Sequence, residues 1–248
     1  MKKIFIPTPL ADAIVIPREE THHLLRVFRH PQDKPVVVGG SDGRSGVYQI
    51  IAVEDGCARA HCLRYCDEDM ADGPEIILMQ AFLKGDRFEW VLQKATELGV
   101  NRIYAVKTEN CVVKYTSDKL AGKTTRWEKI IREAGQQCGR MALPSLVIAE
   151  SMHDVCAEEV CTEEENVRWL VAYEDEDKHT LRERLEEATL AGCDRIGIII
   201  GPEGGFDTCE IEALMSVGVY PVSLGDNILR AETAAVAAVS MISYHYMK

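Results

Sequence analysis

The sequence predicts an α/β protein of two domains, a small β-barrel followed by a parallel sheet covered with helices. Residues 35–65 alternate β-branched runs with Gly-Gly and Asp-Gly turns, which is typical of a small barrel or sandwich. From residue 75 onward short apolar strands alternate with helices, and this indicates a parallel sheet covered on both faces. Residues 67–74 are acidic and contain Gly and Pro, as linkers do. We therefore place the domains at residues 1–70 and 74–248.

One short helix is expected inside the barrel domain. Leu24, Leu25 and Phe28 fall at helical spacing, and Thr21 stands where a capping residue would. Farther along, three cysteines and a histidine lie within residues 57–66, but their spacing matches neither a zinc ribbon nor a zinc finger. The alternating side chains of an edge strand account for this segment better than a metal site does, so no metal is expected.

The second domain is expected to open with a strand at residues 75–83. A helix follows, with Asp86 and Glu89 at capping-box spacing and Gly99 as the stop. Further strands are predicted at residues 102–108, 168–174, 195–201 and 220–225. Further helices are predicted around Trp127, at residues 181–192 and 208–218, and from about Arg230 onward.

The composition indicates a globular, cytoplasmic protein. Of 248 residues 46% are hydrophobic, enough for a sizeable core. No window reaches the roughly 18 consecutive apolar residues of a membrane span, and the apolar run near the N-terminus is too short for a signal peptide. Nine scattered cysteines with no CxxC pair argue against a disulfide framework.

The charge of the chain is unevenly distributed. The net charge of −12 argues at first against a nucleic-acid partner, because phosphate contacts need clustered Lys and Arg. However, residues 80–140 carry 12 basic and 7 acidic groups, whereas residues 141–248 carry 7 basic and 21 acidic groups. The first half of the chain can therefore bind an anion that the last part would repel.

A glycine turn at residues 201–206 follows the apolar strand "RIGIII". In parallel α/β sheets, ligands bind at the carboxyl ends of strands, so a small molecule is expected here. The turn lacks the Lys of a P-loop and the GxGxxG spacing, and it carries the anionic Glu203. These features disfavour a phosphate and favour an uncharged or cationic group, such as an adenosine or a sulfonium. Close packing alone is the alternative role of the glycines, and Asp207 with Glu210 is expected to cap the next helix.

A second turn, residues 223–230, follows the next predicted strand and leads into an alanine-rich helix. The two turns are expected to lie side by side. The helix has almost no polar face, so it is expected to be buried, either in the core or against a second subunit. The alanines concerned are Ala231, Ala234, Ala235, Ala237 and Ala238.

Four segments, at residues 84–100, 133–140, 198–206 and 224–235, together resemble the 16S ribosomal RNA uridine-N(3) methyltransferases of the SPOUT superfamily. Residues 22–29 and 41–48 resemble that family's N-terminal PUA-like barrel. The resemblance implies a C-terminal SPOUT parallel sheet tied in a deep trefoil knot, which binds S-adenosyl-L-methionine. It also implies a homodimer whose partner is 16S rRNA, within the small ribosomal subunit.

The same resemblance assigns the cofactor pocket to three loops and one helical residue. The implied cofactor-binding residues are Ala172, Tyr173, Ile200, Gly201, Gly204, Gly205, Leu224, Gly225, Ile228, Leu229 and Thr233.

Methylation of the uracil ring nitrogen requires loss of its proton, so the site must stabilise an anion. Arg230, one turn from the cofactor loop, is the candidate catalytic residue because its fixed positive charge can do so. Pairing of Arg230 with Glu203 or Glu232 is the alternative. The histidines lie outside the cofactor motifs, and His22 or His23 could act only from another domain or subunit.

RNA affinity would come from phosphate contacts made by basic residues of both domains. We expect Lys3, Arg26 and Arg29 on the barrel, with Lys84, Arg87 and Arg140 on the second domain. The alternative is that these are solvated surface charges. Two other functions stay open, a non-catalytic module that binds RNA or ribosomes and a nucleotide-binding enzyme acting on a small metabolite.

Overall fold

The computed structural model describes residues 3–66, 73–113, 115, 117–140, 142–160 and 166–247. The chain divides into two compact units. The first unit contains Met1–Met70 and Arg132–Leu143, and the second contains Ala71–Ile131 and Pro144–Lys248. Most of the expected linker, residues 67–72, lies outside the described residues, so the linker and the domain bounds stay predictions.

The first unit contains a five-stranded sheet in the order β1-β3-β4-β5-β2. Strands β1 and β3 are parallel, and the other neighbours are antiparallel. Ile4, Ile16, Val36 and Tyr48 are fully buried in its core. The strands are β1 Lys3–Phe5, β2 Ala13–Ile16, β3 Val36–Gly39, β4 Ser45–Glu54 and β5 Cys57–Tyr65.

Two local predictions for this unit are wrong. The cysteine-bearing strand β5 is not an edge strand, because β2 pairs with it on the side opposite β4. Thr21 does not cap a helix but lies inside α1, Arg18–His22, which continues as a π-helical turn, His23–Val27. The Thr21 hydroxyl donates to the Ile16 carbonyl and accepts from the Ala58 amide, so it joins the helix to the sheet.

The second unit contains a six-stranded sheet in the order β11-β9-β10-β6-β7-β8. Every neighbouring pair is parallel, which confirms the predicted parallel sheet. Its strands are β6 Glu75–Ala81, β7 Arg102–Val106, β8 Ser145–Ala149, β9 Val167–Ala172, β10 Arg195–Ile200 and β11 Tyr220–Val222. Strand β10 is buried along its whole length, as expected of a central parallel strand.

Six further helices complete the described chain. They are α2 Arg87–Glu97, α3 Ser117–Cys138, α4 Met152–Val160, α5 Leu181–Leu190, α6 Thr208–Ser216 and α7 Ala231–Tyr246. The sequence indicated all of them except α4, and it also missed strand β8. Within the described residues, no helix is long and apolar enough to cross a membrane.

Of the two capping boxes predicted at helix starts, one is confirmed and one is wrong. The capping box of Asp207 and Glu210 at α6 is confirmed. The Asp86 side chain makes no cap hydrogen bond at α2. The carboxylate of Glu89 is instead bonded to the Arg126 guanidinium at 2.7 Å, so it does not complete a capping box.

Helix α7 buries most of its alanine face inside the second unit. Ala231, Ala234, Ala235 and Ala238 are buried, whereas Ala237 is half-buried. The helix packs against α2, α5, β6 and β10. Core packing therefore accounts for the buried alanines, and the contact with a second subunit stays a prediction.

Candidate functional site

The carboxyl ends of four neighbouring strands, in the order β11-β9-β10-β6, bring four loops together. Residues 172–174 follow β9, the glycine turn follows β10, the second turn follows β11, and residues 82–86 follow β6. The loops after β9, β10 and β11, together with Arg87 at the start of α2 and the start of α7, line a cavity of about 290 Å³. Ligand pockets start at roughly this volume, so the cavity, called here the inner cavity, is the candidate site.

The glycine turn is held by contacts with several neighbouring segments. A Cβ atom on Gly201 would lie 2.9 Å from the Phe206 ring, and one on Gly204 would lie 3.0 Å from the Asn110 carbonyl oxygen. Gly205 has a positive φ of 71° and lies against Glu174. The glycines thus allow close packing and also present backbone to the cavity, so both interpretations made from the sequence apply.

Gln80 supports the glycine turn from beneath. Its side chain is fully buried at the end of β6, and its amide nitrogen lies 3.4 Å from the Ile200 carbonyl oxygen and 3.3 Å from that of Gly201. The only sequence signal for this role is a polar residue that follows the apolar run "IILM" near the end of the strand. A buried amide that donates to two loop carbonyls fixes the direction of the turn.

Arg87 connects the glycine turn to the first turn of α7. Its Nη1 donates to Glu203 Oε1 at 3.1 Å, and its Nε lies 3.7 Å from Glu232 Oε1. The Lys84 amide donates to the same Glu203 oxygen at 2.9 Å. Arg87 therefore makes the contacts that were the alternative role of Arg230, so that alternative is wrong.

Two further cavities adjoin the inner cavity. One, of about 120 Å³, is lined by residues of the second turn together with Ala172, Tyr173 and Glu174. The other, of about 710 Å³ and called here the outer cavity, is lined by Lys84, Gly85, Asp86, Arg87, Trp90, Glu232 and Thr233. Arg87 and Glu232 line both the inner and the outer cavity. The site is therefore a small recess beside a larger open space.

Comparison with known proteins places this geometry in a family. The sequence profile of the RNA methyltransferase domain matches residues 71–243, which include every residue lining the inner cavity. The chain belongs to the RNA methyltransferase domain family. The resemblance found in the sequence is thereby confirmed.

Relatives of this RNA methyltransferase domain protein match it along most of its length. A ribosomal RNA small subunit methyltransferase E from Bacillus subtilis (strain 168) is 28% identical over 236 residues, covering 94% of this chain and 91% of the relative. The enzyme of the same name from Neisseria gonorrhoeae, solved bound to S-adenosyl methionine, has 25% identity and a TM-score of 0.77, covering 99% and 98% of the chains. A Legionella pneumophila methyltransferase solved with its cofactor SAM has 28% identity and a TM-score of 0.75, covering 98% and 97%. The cofactor expected from the sequence is thus the one bound in both of these solved relatives.

In this methyltransferase domain most of the predicted cofactor residues line the adjoining cavities. Those lining the inner cavity are Ala172, Tyr173, Ile200, Gly201, Gly205, Ile228 and Leu229. Leu224 and Gly225 line the 120 Å³ cavity. Gly204 packs against Asn110, and Thr233 is exposed beside the outer cavity. Residues that sequence reasoning missed are Glu174, Phe206 and Glu232, which also line the inner cavity.

Arg230 lies at the N-cap of α7 and lines the inner cavity. Its side chain makes no cap hydrogen bond, the residue is exposed, and within the described part of the chain it has no ion pair. It can therefore turn toward a bound ligand. Tyr173, which follows β9 and lines the same cavity, donates to Asp175 at 3.0 Å, and that hydrogen bond raises the pKa of the phenol.

The residues predicted to contact RNA fall into different environments. Arg26, Arg29 and Lys84 are exposed. Lys3 is buried, and the loss of hydration lowers the pKa of its amine to about 8. Arg140 lies in the segment Arg132–Leu143, which belongs with the first unit rather than the second, because the end of α3 packs there through Gln136 and Glu20.

No group of three or more His, Cys, Asp or Glu side chains suited to a metal ion occurs among the described residues. None of the described cavities at the two turns is lined by a histidine. His22 and His23 lie in and beside α1 of the first unit, and a catalytic role for either stays a prediction.

Proposed function

We propose that this protein transfers a methyl group from S-adenosylmethionine to the ring N(3) atom of a uridine in 16S rRNA of the small ribosomal subunit. The observation that carries the proposal is the inner cavity, which the two turns form inside the region matched by the RNA methyltransferase domain. Relatives named for small-subunit rRNA methylation support the substrate, and two related structures with bound S-adenosylmethionine support the cofactor.

The side chains of the inner cavity fit S-adenosylmethionine. Ala172, Ile200, Ile228 and Leu229 give an apolar surface for the adenosine part. Three carboxylates, those of Glu174, Glu203 and Glu232, favour a cationic group over a phosphate. When bound, S-adenosylmethionine supplies an electrophilic methyl group on a positively charged sulfur. The residues listed in the sequence analysis, except Gly204 and Thr233, lie where they can hold it.

Arg230 is proposed to stabilise the uracil anion. Loss of the N(3) proton spreads negative charge onto the two flanking carbonyl oxygens, and a guanidinium beside them offsets that charge. The side chain has no carboxylate partner among the described residues, whereas Arg87 already contacts Glu203 and Glu232. Among the cations of the inner cavity, Arg230 is therefore the one available for the substrate.

Binding of rRNA is proposed to use Lys3, Arg26, Arg29, Lys84, Arg87 and Arg140 as phosphate contacts. We further propose that the first unit is a PUA-like domain and that the second is a SPOUT domain with a deep trefoil knot. The strand order β11-β9-β10 supports the knot, because the chain passes from β10 beyond β9 to form β11. A cytoplasmic homodimer completes the proposal, and the exposed Met241 and Tyr244 on α7 support a contact with a second copy.

Methyl transfer to small ribosomal subunits tests this proposal directly. Subunits lacking the modification are incubated with labelled S-adenosylmethionine. The nucleosides of the 16S rRNA are then separated by chromatography and identified by mass spectrometry. We expect one N(3)-methyluridine per subunit, with already methylated subunits as the control. A protein that binds the subunits but transfers no label, and whose melting temperature S-adenosylmethionine does not raise, would instead be a non-catalytic RNA-binding module.

A further inference from the structure

The boundary between the inner and the outer cavity is formed by two side chains, Arg87 and Glu232. The inner cavity has the apolar surface and the size for an adenosine. The outer cavity is larger, and it carries Lys84 and Trp90, whose side chain is an exposed aromatic surface. Unstacked bases bind to aromatic side chains and backbone phosphates bind to cations, so the outer cavity suits the RNA. A methyl group that passes from cofactor to base must therefore pass beside Glu232.

One oxygen of Glu232 is buried and has no partner. Its Oε1 faces Arg87 Nε at 3.7 Å, while no hydrogen-bond donor lies near Oε2 among the described residues. The side chain is only 16% exposed. A buried carboxylate oxygen without a donor is costly, so its presence beside a cavity calls for an explanation. Oε2 is therefore an unpaired acceptor that a turn of the Glu232 side chain would bring to a ligand in the cavity.

We propose that Glu232 is the catalytic residue that accepts the N(3) proton of the target uracil. This inference rests on the proposed function, and it names the proton acceptor for that reaction. No histidine lines the cavities at the two turns, and the two other carboxylates of the inner cavity are engaged elsewhere or lie off the boundary. Glu203 Oε1 accepts from Lys84 and Arg87, and Glu174 lines only the inner cavity and the 120 Å³ cavity.

The step balances without any further reactant. The N(3) proton moves to Glu232 Oε2, and the electron pair of the N–H bond stays on the nitrogen. That pair forms the bond to the methyl carbon, and the carbon–sulfur pair leaves with the sulfur, which becomes a neutral thioether. Glu232 then releases its proton to water through the outer cavity. Arg230 has the complementary role of stabilising the negative charge on the uracil oxygens. The proton and the negative charge that it leaves behind are thus each taken up by one of two residues that lie two positions apart in the chain.

The charged and ionisable groups around Glu232 come from α2, from the loops after β6, β9 and β10, and from the start of α7. Arg87 of α2 contacts it directly, and Glu203 of the glycine turn shares that guanidinium. The other ionisable side chains lining the two cavities are Lys84, Asp86, Tyr173, Glu174 and Arg230. Because both glutamates pair with Arg87, removal of the charge at either one takes away one ion pair of the same guanidinium, and this makes Glu203 a matched control for Glu232.

Glu232→Gln and Glu203→Gln test the assignment, since each keeps the side-chain volume and removes one partner of Arg87. Affinity for S-adenosylmethionine is measured by calorimetry, and affinity for unmodified small subunits by filter binding with S-adenosylhomocysteine present. We expect both affinities of Glu232→Gln to stay within about threefold of wild type. Its single-turnover rate at neutral pH should fall by about a hundredfold or more, the range of a positioned base.

The pH dependence separates a base from a structural residue. For Glu232→Gln we expect the rate to keep rising with pH as hydroxide removes the proton, whereas the wild-type rate levels off. Glu203→Gln should lose less than about tenfold and keep the wild-type profile. Glu232→Asp should retain the wild-type profile at a lower rate, and the melting temperature of each variant reports its folding.

Three results would overturn the assignment of Glu232. They are a Glu232→Gln rate close to that of wild type, equal losses with the same pH profile in both glutamine variants, and a loss of cofactor affinity that accounts for the loss of rate. A wild-type protein that forms no N(3)-methyluridine rejects the proposed function instead. A wild-type protein that forms it, together with an equally active Glu232→Gln, rejects only the role of Glu232.

Discussion

The glycine turn and the second turn form opposite parts of the same inner cavity, but they are held in different ways. The glycine turn contacts Gln80, Lys84, Arg87 and Asn110, which come from loops and strands on its other sides. The hydrogen bonds of the second turn lie at its start, between Ser223 and Gly225 and between Ser223 and the backbone of His179 and Leu181, whereas Ile228 is 82% exposed. One wall is held along its length by neighbouring segments, and the other is held mainly at its start.

This difference suggests a division of roles. A wall held by many contacts keeps its shape before the ligand arrives, and little conformational entropy is lost there on binding. An apolar side chain that is exposed without a ligand, such as Ile228, gains free energy when a ligand covers it. The second turn also carries Arg230, the candidate catalytic residue. The fixed wall should therefore govern stability, and the exposed wall should govern binding and turnover.

The largest effect is expected for Arg230→Ala in the second turn. Turnover should fall by on the order of a hundredfold or more, since an electrostatic donor to a developing anion is removed. Affinity for the cofactor should stay close to that of wild type. Turnover on small subunits and calorimetric affinity measure the two quantities. Unchanged turnover would move anion stabilisation to another residue and remove the main functional difference between the two turns.

The next effect is expected for Gly201→Ala in the glycine turn. The added Cβ atom would lie 2.9 Å from the Phe206 ring, so the ring must move and the packing beneath the turn must adjust. We expect a loss of about 1–2 kcal/mol in the free energy of unfolding, measured with urea. Asn227→Ala in the exposed turn is the control, with a change within about 0.5 kcal/mol. Equal losses in both variants would contradict the comparison.

Ile228→Ala should weaken cofactor binding by about tenfold. The side chain lines the inner cavity and is largely exposed. A ligand that covers it would bury apolar surface and gain about 1.5 kcal/mol of binding free energy, which corresponds to about tenfold in affinity. The stability of the free protein should stay within about 0.5 kcal/mol. Calorimetry and thermal unfolding measure both quantities. A large loss of stability would show that Ile228 is packed in the free protein, contrary to its exposure.

Much of this organisation could be predicted from the sequence because its causes are local. Apolar runs followed by glycine identified β10 and the glycine turn, and the spacing of Asp207 and Glu210 identified the start of α6. The turn lacks a phosphate motif, and the sequence therefore favoured an uncharged or cationic ligand over a phosphate. The three carboxylates that line the cavity agree with that class of ligand. The two turns that follow β10 and β11 line the same cavity, but they are not directly side by side, because the end of β9 lies between them.

The errors concern partners that are distant in the chain. Arg87 and Glu203 are 116 positions apart, so no local pattern indicates that Arg87 rather than Arg230 makes that contact. Asp86 and Glu89 have the spacing of a capping box, but Arg126 binds the Glu89 carboxylate. Strand β5 was predicted to be an edge strand because its local sequence does not show that β2, more than 40 positions earlier in the chain, pairs with it. Tertiary contacts decide which of several locally acceptable arrangements occurs.

The smallest effect is expected for Arg87→Met, which removes the ion pairs that join the two walls. Arg87 is 44% exposed, and exposed ion pairs contribute little, so we expect only about a threefold rise in the KM for S-adenosylmethionine. The difference from wild type should shrink at high salt, since screening weakens the wild-type pairs as well. Lys84→Met is the control: it removes an exposed cation that forms no ion pair among the described residues, it keeps the backbone amide that donates to Glu203, and it should leave this KM unchanged. If Arg87→Met lowers only the affinity for small subunits, as its proposed phosphate contact alone would require, and leaves the cofactor KM unaltered, then the two walls are held independently of each other.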